Sequence, residues 1–157
     1  MKNLKKVLAV VLVAALAVAF AACSGGSKAA AVKTGLAVTG TIEDVKDTTL
    51  TIDVVAAAVT VDADGKIVDV KIDEAQTKPD LAKADADYGV DLRTKYEKQG
   101  DYAMKATSEA MGIGKEWFEQ ADAFMAWAKG KTAADVRAAV NAEGKTDDAE
   151  LKAGCTI

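Results

Sequence analysis

The sequence predicts an α+β domain over residues 35–157: a small antiparallel sheet, two C-terminal helices packed on one face, and a short returning strand. Three observations carry this. Between Leu36 and Asp73 apolar residues alternate with polar or small ones, the two-residue period of a strand. From Ala106 to Lys129, and again after Thr132, the period is helical. Strands come first and helices follow, an order that puts helices on one face of an antiparallel sheet.

The elements follow in chain order. Leu36, Val38 and Ile42 mark a first strand, and Leu50, Ile52 and Val54, alternating with Thr49, Thr51 and Asp53, mark a second with one buried and one wet face. Val59 and Val61 lead into Asp62-Ala63-Asp64-Gly65, after which Val68, Val70 and Ile72 alternate with Asp69 and Lys71. Asp64-Gly65 between two alternating runs predicts a hairpin, because Gly accepts positive φ without steric cost. Three or four antiparallel strands are expected. Residues 74–104 are polar and less regular, contain the single proline, Pro79, and read as a long loop with a short helical turn around Leu81–Asp87. Trp117, Ala121, Phe124 and Ala128 then share one helical stripe, which Phe118, Met125 and Trp127 broaden, and Gly130 closes it as the residue after the C-cap. Thr132 reads as the N-cap of a second helix with Val136, Ala139 and Val140 on its apolar side. Asn141 to Asp148 is a turn region, and Leu151 to Ile157 reads as the start of the last strand.

The N-terminus has a different character. Lys2, Lys5 and Lys6 precede an unbroken apolar run from Val7 to Ala22, shorter than the roughly 20 residues that span a bilayer. Ala21-Ala22-Cys23 follows it, and then Ser24-Gly25-Gly26-Ser27. A cysteine after two small residues at the end of such a run resembles a bacterial lipobox, with Phe20 in the slot where Leu is usual. Residues 1–22 are therefore expected to be a lipoprotein signal peptide, Cys23 the acylated residue, and 23–34 a flexible lipidated tether. This places the domain on the extracytoplasmic face of the membrane, lipid-anchored through Cys23.

The full chain of 157 residues carries a net charge of −4, and loss of the lysine-bearing leader makes the remainder more acidic still. That balance argues against nucleic acid and against charge-driven binding to anionic lipid, so attachment falls to the acyl chains. There is no histidine. His-based triads, His metal ligation and proximal-His haem are excluded. Cys155 is the only cysteine besides Cys23, so no internal disulfide is expected.

Two local motifs do not hold up. Asp62-Ala63-Asp64-Gly65 resembles the middle of a calcium loop, but the alignment puts Thr60 first and Lys71 last, where a bidentate Glu is required. Gly112-Ile113-Gly114-Lys115 has the flavour of a phosphate loop, but Glu109 occupies the slot of the first Walker glycine. Asp80, Asp85, Asp87 and Asp91 read as a solvated loop face rather than an acid–base pair. Trp117, Phe118, Phe124 and Trp127 read as core, with one of them available to touch a ligand.

Glu150-Leu151-Lys152-Ala153-Gly154-Cys155-Thr156 resembles the acceptor sequence of covalently flavinylated FMN-binding domains. Glu150 stands in the acid slot, Ala153 in the Ser slot, Gly154 in the Gly slot and Cys155 in the Ala slot. The resemblance extends to Asp64-Gly65-Lys66-Ile67-Val68-Asp69-Val70, Gln76-Thr77-Lys78, Lys95-Tyr96-Glu97, Gly100-Asp101-Tyr102-Ala103-Met104-Lys105 and Gly114-Lys115-Glu116-Trp117-Phe118-Glu119-Gln120. Taken in order, these segments resemble single-domain FMN-binding lipoproteins of bacteria, relatives of the flavin-bearing lipoproteins of extracellular electron transfer.

The resemblance implies FMN as cofactor and Thr156 as the hydroxyl that carries it through a phosphoester, with Ala153, Gly154 and Cys155 beside it. It implies Thr77 and Lys78 as ribityl or phosphate contacts, and Met104, Lys105 and Trp117 as neighbours of the isoalloxazine. The implied partners are a membrane electron donor, an external acceptor and the flavin transferase that makes the ester. The role is that of an electron carrier rather than an enzyme with its own substrate. The alternative is a cofactor-free surface lipoprotein, a binding or structural module on the same fold, which the acidic surface fits equally well.

Overall fold

β-branched Val, Ile and Thr are frequent between Lys33 and Thr77, and this stretch forms a three-stranded antiparallel sheet with its strands in chain order. The computed structural model describes residues 31–46, 48–83 and 90–155. Residues 1–30, with the expected signal segment, Cys23 and most of the expected tether, lie outside the described residues, as do Thr156 and Ile157. Strand β1 spans Lys33–Lys46, β2 Thr49–Val61 and β3 Ile67–Thr77. The β2–β3 hairpin turns at Asp64-Gly65 as its residues predict. Gly65 adopts φ +78, and Asp62 Oδ1 accepts the N–H groups of Asp64 (3.0 Å) and Lys66 (2.9 Å). That aspartate is thus employed in the turn itself.

The covered face is not the one that Ile52 and Val54 suggest. Val59 and Val61 of β2 join Ile67, Val70 and Ile72 of β3 in the core. The register places Leu36, Val38 and Ile42 opposite Ala58, Ala56 and Ile52, on the other face. There the three large β1 side chains are 67%, 60% and 71% exposed, and Val54 is exposed too. Alternation shows that a strand has two faces; the helices decide which one is buried.

The helical half is α1 (Lys95–Lys98), a 3₁₀ turn (Gln99–Tyr102), α2 (Lys105–Ala110), α3 (Trp117–Ala128), α4 (Ala133–Ala138) and α5 (Ala149–Gly154). The helix expected from Ala106 to Lys129 is broken in two. Gly112 and Gly114 take φ +82 and +63, which ends α2 and re-aims the chain before the Glu116–Glu119 capping box starts α3. Helix α3 docks on β3, with the Ile72 N–H directed at Met125 Sδ (3.3 Å), and supplies Met125, Trp127 and Ala128 to the core. Gly130, at φ +80, follows the C-cap as expected, and its N–H donates to the Ile67 carbonyl at 2.8 Å. Thr132 caps α4 through a reciprocal box with Asp135. The part of the helical turn expected around Leu81–Asp87 that falls on residues 84–87 lies outside the described residues.

The returning strand expected from Leu151 is instead the helix α5, a correction to the sequence reading. Asp148 accepts the N–H groups of Glu150 (2.9 Å) and Leu151 (3.1 Å), which nucleates a helical turn. Leu151, Gly154 and Cys155 are the buried residues, a spacing of three and four that suits a helix.

These caps carry a pH signature. Backbone N–H bonds hold the Asp135 and Asp148 carboxyls below their ordinary 3.8, led by Thr132 and Leu151 respectively. A carboxylate lowered in the folded state contributes stability that is complete above the ordinary value and is lost as pH falls through the lowered one. Thermal melts should therefore show Tm falling below pH 3.8, and Asp148→Asn, which still caps but does not titrate there, should flatten that limb. A Tm indifferent to acid would contradict this.

Candidate functional site

Helix α5 lies across α3, and the two enclose an open cleft of about 320 Å³ with the loop that precedes α3. Lys115 stands on the loop wall, Ala123, Ala126 and Trp127 on α3, and Glu150, Ala153 and Gly154 on α5. The volume is at the low end of the roughly 300–1,000 Å³ found for small-molecule sites. Trp127 is buried, packs its ring at 5.8 Å from that of Phe124 and receives Lys131 Nζ over its face at 4.4 Å. Its indole N–H makes no hydrogen bond of good geometry, and the Asp148 carboxylate is the acidic group that feels it.

Gly154 permits the close crossing of the two helices. A Cβ at this position would stand 3.0 Å from the Ala123 Cβ, which is part of a helix and has no flexible end to swing away. Gly154→Ala should therefore cost about 1–3 kcal/mol through overpacking. Ala123→Gly should recover much of the loss in the double variant, as a denaturant double-mutant cycle would read. Additive losses would place the strain elsewhere. Beside it, Cys155 is buried and free, with Sγ at 3.3 Å from the Gln120 carbonyl. Burial pushes its thiol up, against the pull of Lys115, so it is a protonated packing group rather than a nucleophile.

Of the residues singled out from the sequence, Ala153 and Gly154 line the cleft and Cys155 packs beneath it. Thr156, the expected ester position, follows directly in the chain but lies outside the described residues, as does Cys23. The others gather at the far end of β3 and the start of α3. Thr77 ends β3 and pairs with Ile52, while Lys78 is exposed just beyond it. The Met104 N–H donates to Glu116 Oε2 at 2.9 Å, next to Trp117, and Lys105 is exposed at the first position of α2. Trp117 stacks edge-on against Tyr96, with ring centroids 6.1 Å apart.

That end also holds a charged cluster that hydrophobic patterning does not reveal. Lys95 Nζ pairs with Glu74 at 2.7 Å and lies over the rings of Tyr102 (4.6 Å) and Trp117 (5.6 Å). Burial pushes the Glu74 carboxyl up despite the attraction of Lys95. Burial opposes the charge on Lys95 too, but Glu74 and Tyr102 outweigh it and raise the lysine. Tyr96, hydrogen-bonded through its hydroxyl to Asp122, is pushed up to about 12, by burial first and then by that carboxylate. Lys95 and Tyr96 both shift away from neutrality, so the lysine stays charged and braces Glu74 and the neighbouring rings.

Lys115 is the site residue that the sequence undervalues. It belongs to the rejected Gly112–Lys115 motif, yet the fold brings it to Ala153, with Nζ 3.5 Å from that carbonyl. Among the described residues, no group of three or more acids or cysteines is arranged to hold a metal ion. Comparison with protein-family models, with curated proteins and with solved structures gives no match.

Proposed function

We propose that the chain is an extracytoplasmic, membrane-anchored lipoprotein that carries electrons on FMN, with Cys23 as the acylated anchor and Thr156 as the point of flavin attachment. The observation that supports it is the cleft at α5: Ala153 and Gly154, the small residues of the acceptor-like segment, line it together with a cation, Lys115, and an indole, Trp127. The chemistry of that lining suits a phosphorylated heterocycle. The lysine offers charge to a phosphate, and the apolar walls of α3 offer surface to a ring.

When bound, the isoalloxazine supplies the redox chemistry. The chain's own contribution is to hold it, to limit water around it and to set its reach from the membrane. Thr156 would supply the hydroxyl that holds FMN through a phosphoester, and Lys115 would offer charge to that phosphate. The partners on this reading are the transferase, a membrane donor and an external acceptor, with no nucleic acid. Full-length chain purified from a host with an active flavin transferase should show visible flavin absorption that survives denaturation; colourless protein would overturn the reading.

One observation favours the second reading, a cofactor-free binding or structural lipoprotein. Leu36, Val38 and Ile42 present exposed apolar side chains on one face of β1, a surface of the kind that partners cover.

A further inference from the structure

We infer that Lys115 is the phosphate anchor of the cleft, the group by which this chain distinguishes a phosphorylated flavin from the bare nucleoside-like ring system; the inference rests on the flavin reading above. Among the described residues, Lys115 is the cation that lines the cleft. Its backbone is fixed from three sides. The N–H donates to Ser108 Oγ (2.8 Å), and the carbonyl accepts from that hydroxyl (2.6 Å) and from Gln120 Nε2 (3.0 Å). Ser108 is fully buried, so these bonds are shielded from water.

The side chain beyond this rigid base is underused. Its Nζ reaches the Ala153 carbonyl at 3.5 Å, the long limit of a hydrogen bond, and it makes no ion pair with a described residue. An ammonium has three donors, so at least two remain for a ligand. Glu150 shares the cleft. Its carboxylate balances the lysine across the lining and disfavours a second negative charge, which suits a singly charged diester better than a dianion.

Two residues, Gly154 and Cys155, lie between Ala153 and Thr156 in the chain, three steps that span at most about 11 Å, and Cys155 is extended at φ −140 and ψ 152. A lysine on a four-carbon stem covers much of that span and binds phosphate as a point charge. The Gly112–Lys115 motif thus supplies a phosphate ligand without being a nucleotide loop. Gly112 and Gly114, both at positive φ, turn the chain before Lys115, whose Nζ meets the Ala153 carbonyl of α5.

The test compares FMN with riboflavin, which differ by the phosphate alone, on the full-length apo chain without transferase, read by quenching of flavin fluorescence. Wild type should bind FMN about tenfold more tightly than riboflavin, the effect of one charge-assisted contact. Lys115→Met should bring the ratio of the two affinities close to one, and Lys115→Arg should keep the preference. Ser108 still holds the backbone in both variants, and circular dichroism verifies the fold. Should Lys115→Met not fold, Lys115→Gln takes its place. A methionine variant that keeps the FMN preference, or a wild type that does not discriminate, overturns the phosphate site while leaving the flavin reading intact. If flavin enters only through the transferase, wild type and Lys115→Met are compared by the rate of mass addition, which the variant must slow about tenfold; an unchanged rate overturns the site. A wild type that takes flavin by neither route overturns the flavin reading, and this site falls with it.

Discussion

Leu151→Ala should lower the unfolding free energy by about 3–4 kcal/mol, within the range for emptying a well-packed leucine site. Leu151 is 1% exposed, among the most deeply buried residues described, and it is the side chain by which α5 enters the core. Its removal leaves a six-residue helix held by the Asp148 cap, the crossing of Gly154 on Ala123 and the buried Cys155. An isolated helix of that length has little stability of its own. The loss should therefore reach function: with α5 loosened, Ala153 and Gly154 no longer form one wall of the cleft. Urea titration reads the stability directly, with the slope unchanged. A loss under about 1 kcal/mol would mean that α5 is an ornament of the fold rather than part of its core.

Glu74→Ala should cost about 3 kcal/mol, the lower end of the range for breaking a buried pair, because Glu74 retains some exposure. The damage comes from the lysine left behind. Lys95 is among the buried charged groups, and without Glu74 its ammonium keeps only the rings of Tyr102 and Trp117 and their weaker attraction. Removing both charges is a different experiment. Glu74→Gln with Lys95→Met leaves no orphaned ion and should recover most of the stability, since buried pairs are commonly replaceable by neutral residues of similar volume. A double variant as unstable as Glu74→Ala would show that the pair itself, not the orphaned charge, holds α1 to β3.

Where local chemistry decides structure, the residues spoke for themselves. Asp64-Gly65 predicts the hairpin, Gly130 the end of α3 and Thr132 the start of α4, because each requires only its immediate neighbours. Three features depended on more. In the last helix, Leu151, Ala153 and Cys155 fit a two-residue period as well as Leu151, Gly154 and Cys155 fit a helical one, and so short a window cannot separate them. The Asp148 cap was the signal that decided. In the aromatic helix, the two glycines at positive φ interrupt a continuous apolar stripe. In the sheet, the buried face was chosen by Met125, Trp127 and Ala128, far along the chain from the strands.

The candidate site was legible in part for the same reason. Ala153 and Gly154 stand in one short segment with Thr156, and the pattern of that segment drew attention to them together. Lys115 is 38 positions away from Ala153 and meets it only because α3 and α5 cross at Gly154. The Glu74–Lys95 pair is likewise a product of tertiary contact, and lysine and glutamate in a polar loop or strand end read first as solvated residues.

The most direct measurement of the central claim is the intact mass of the full-length chain after co-expression with a flavin transferase, beside Thr156→Ala treated identically. The wild type should gain a mass equal to one FMN moiety, esterified with loss of water, and the variant should gain none. An unmodified wild type, or the same addition on Thr156→Ala, would contradict it.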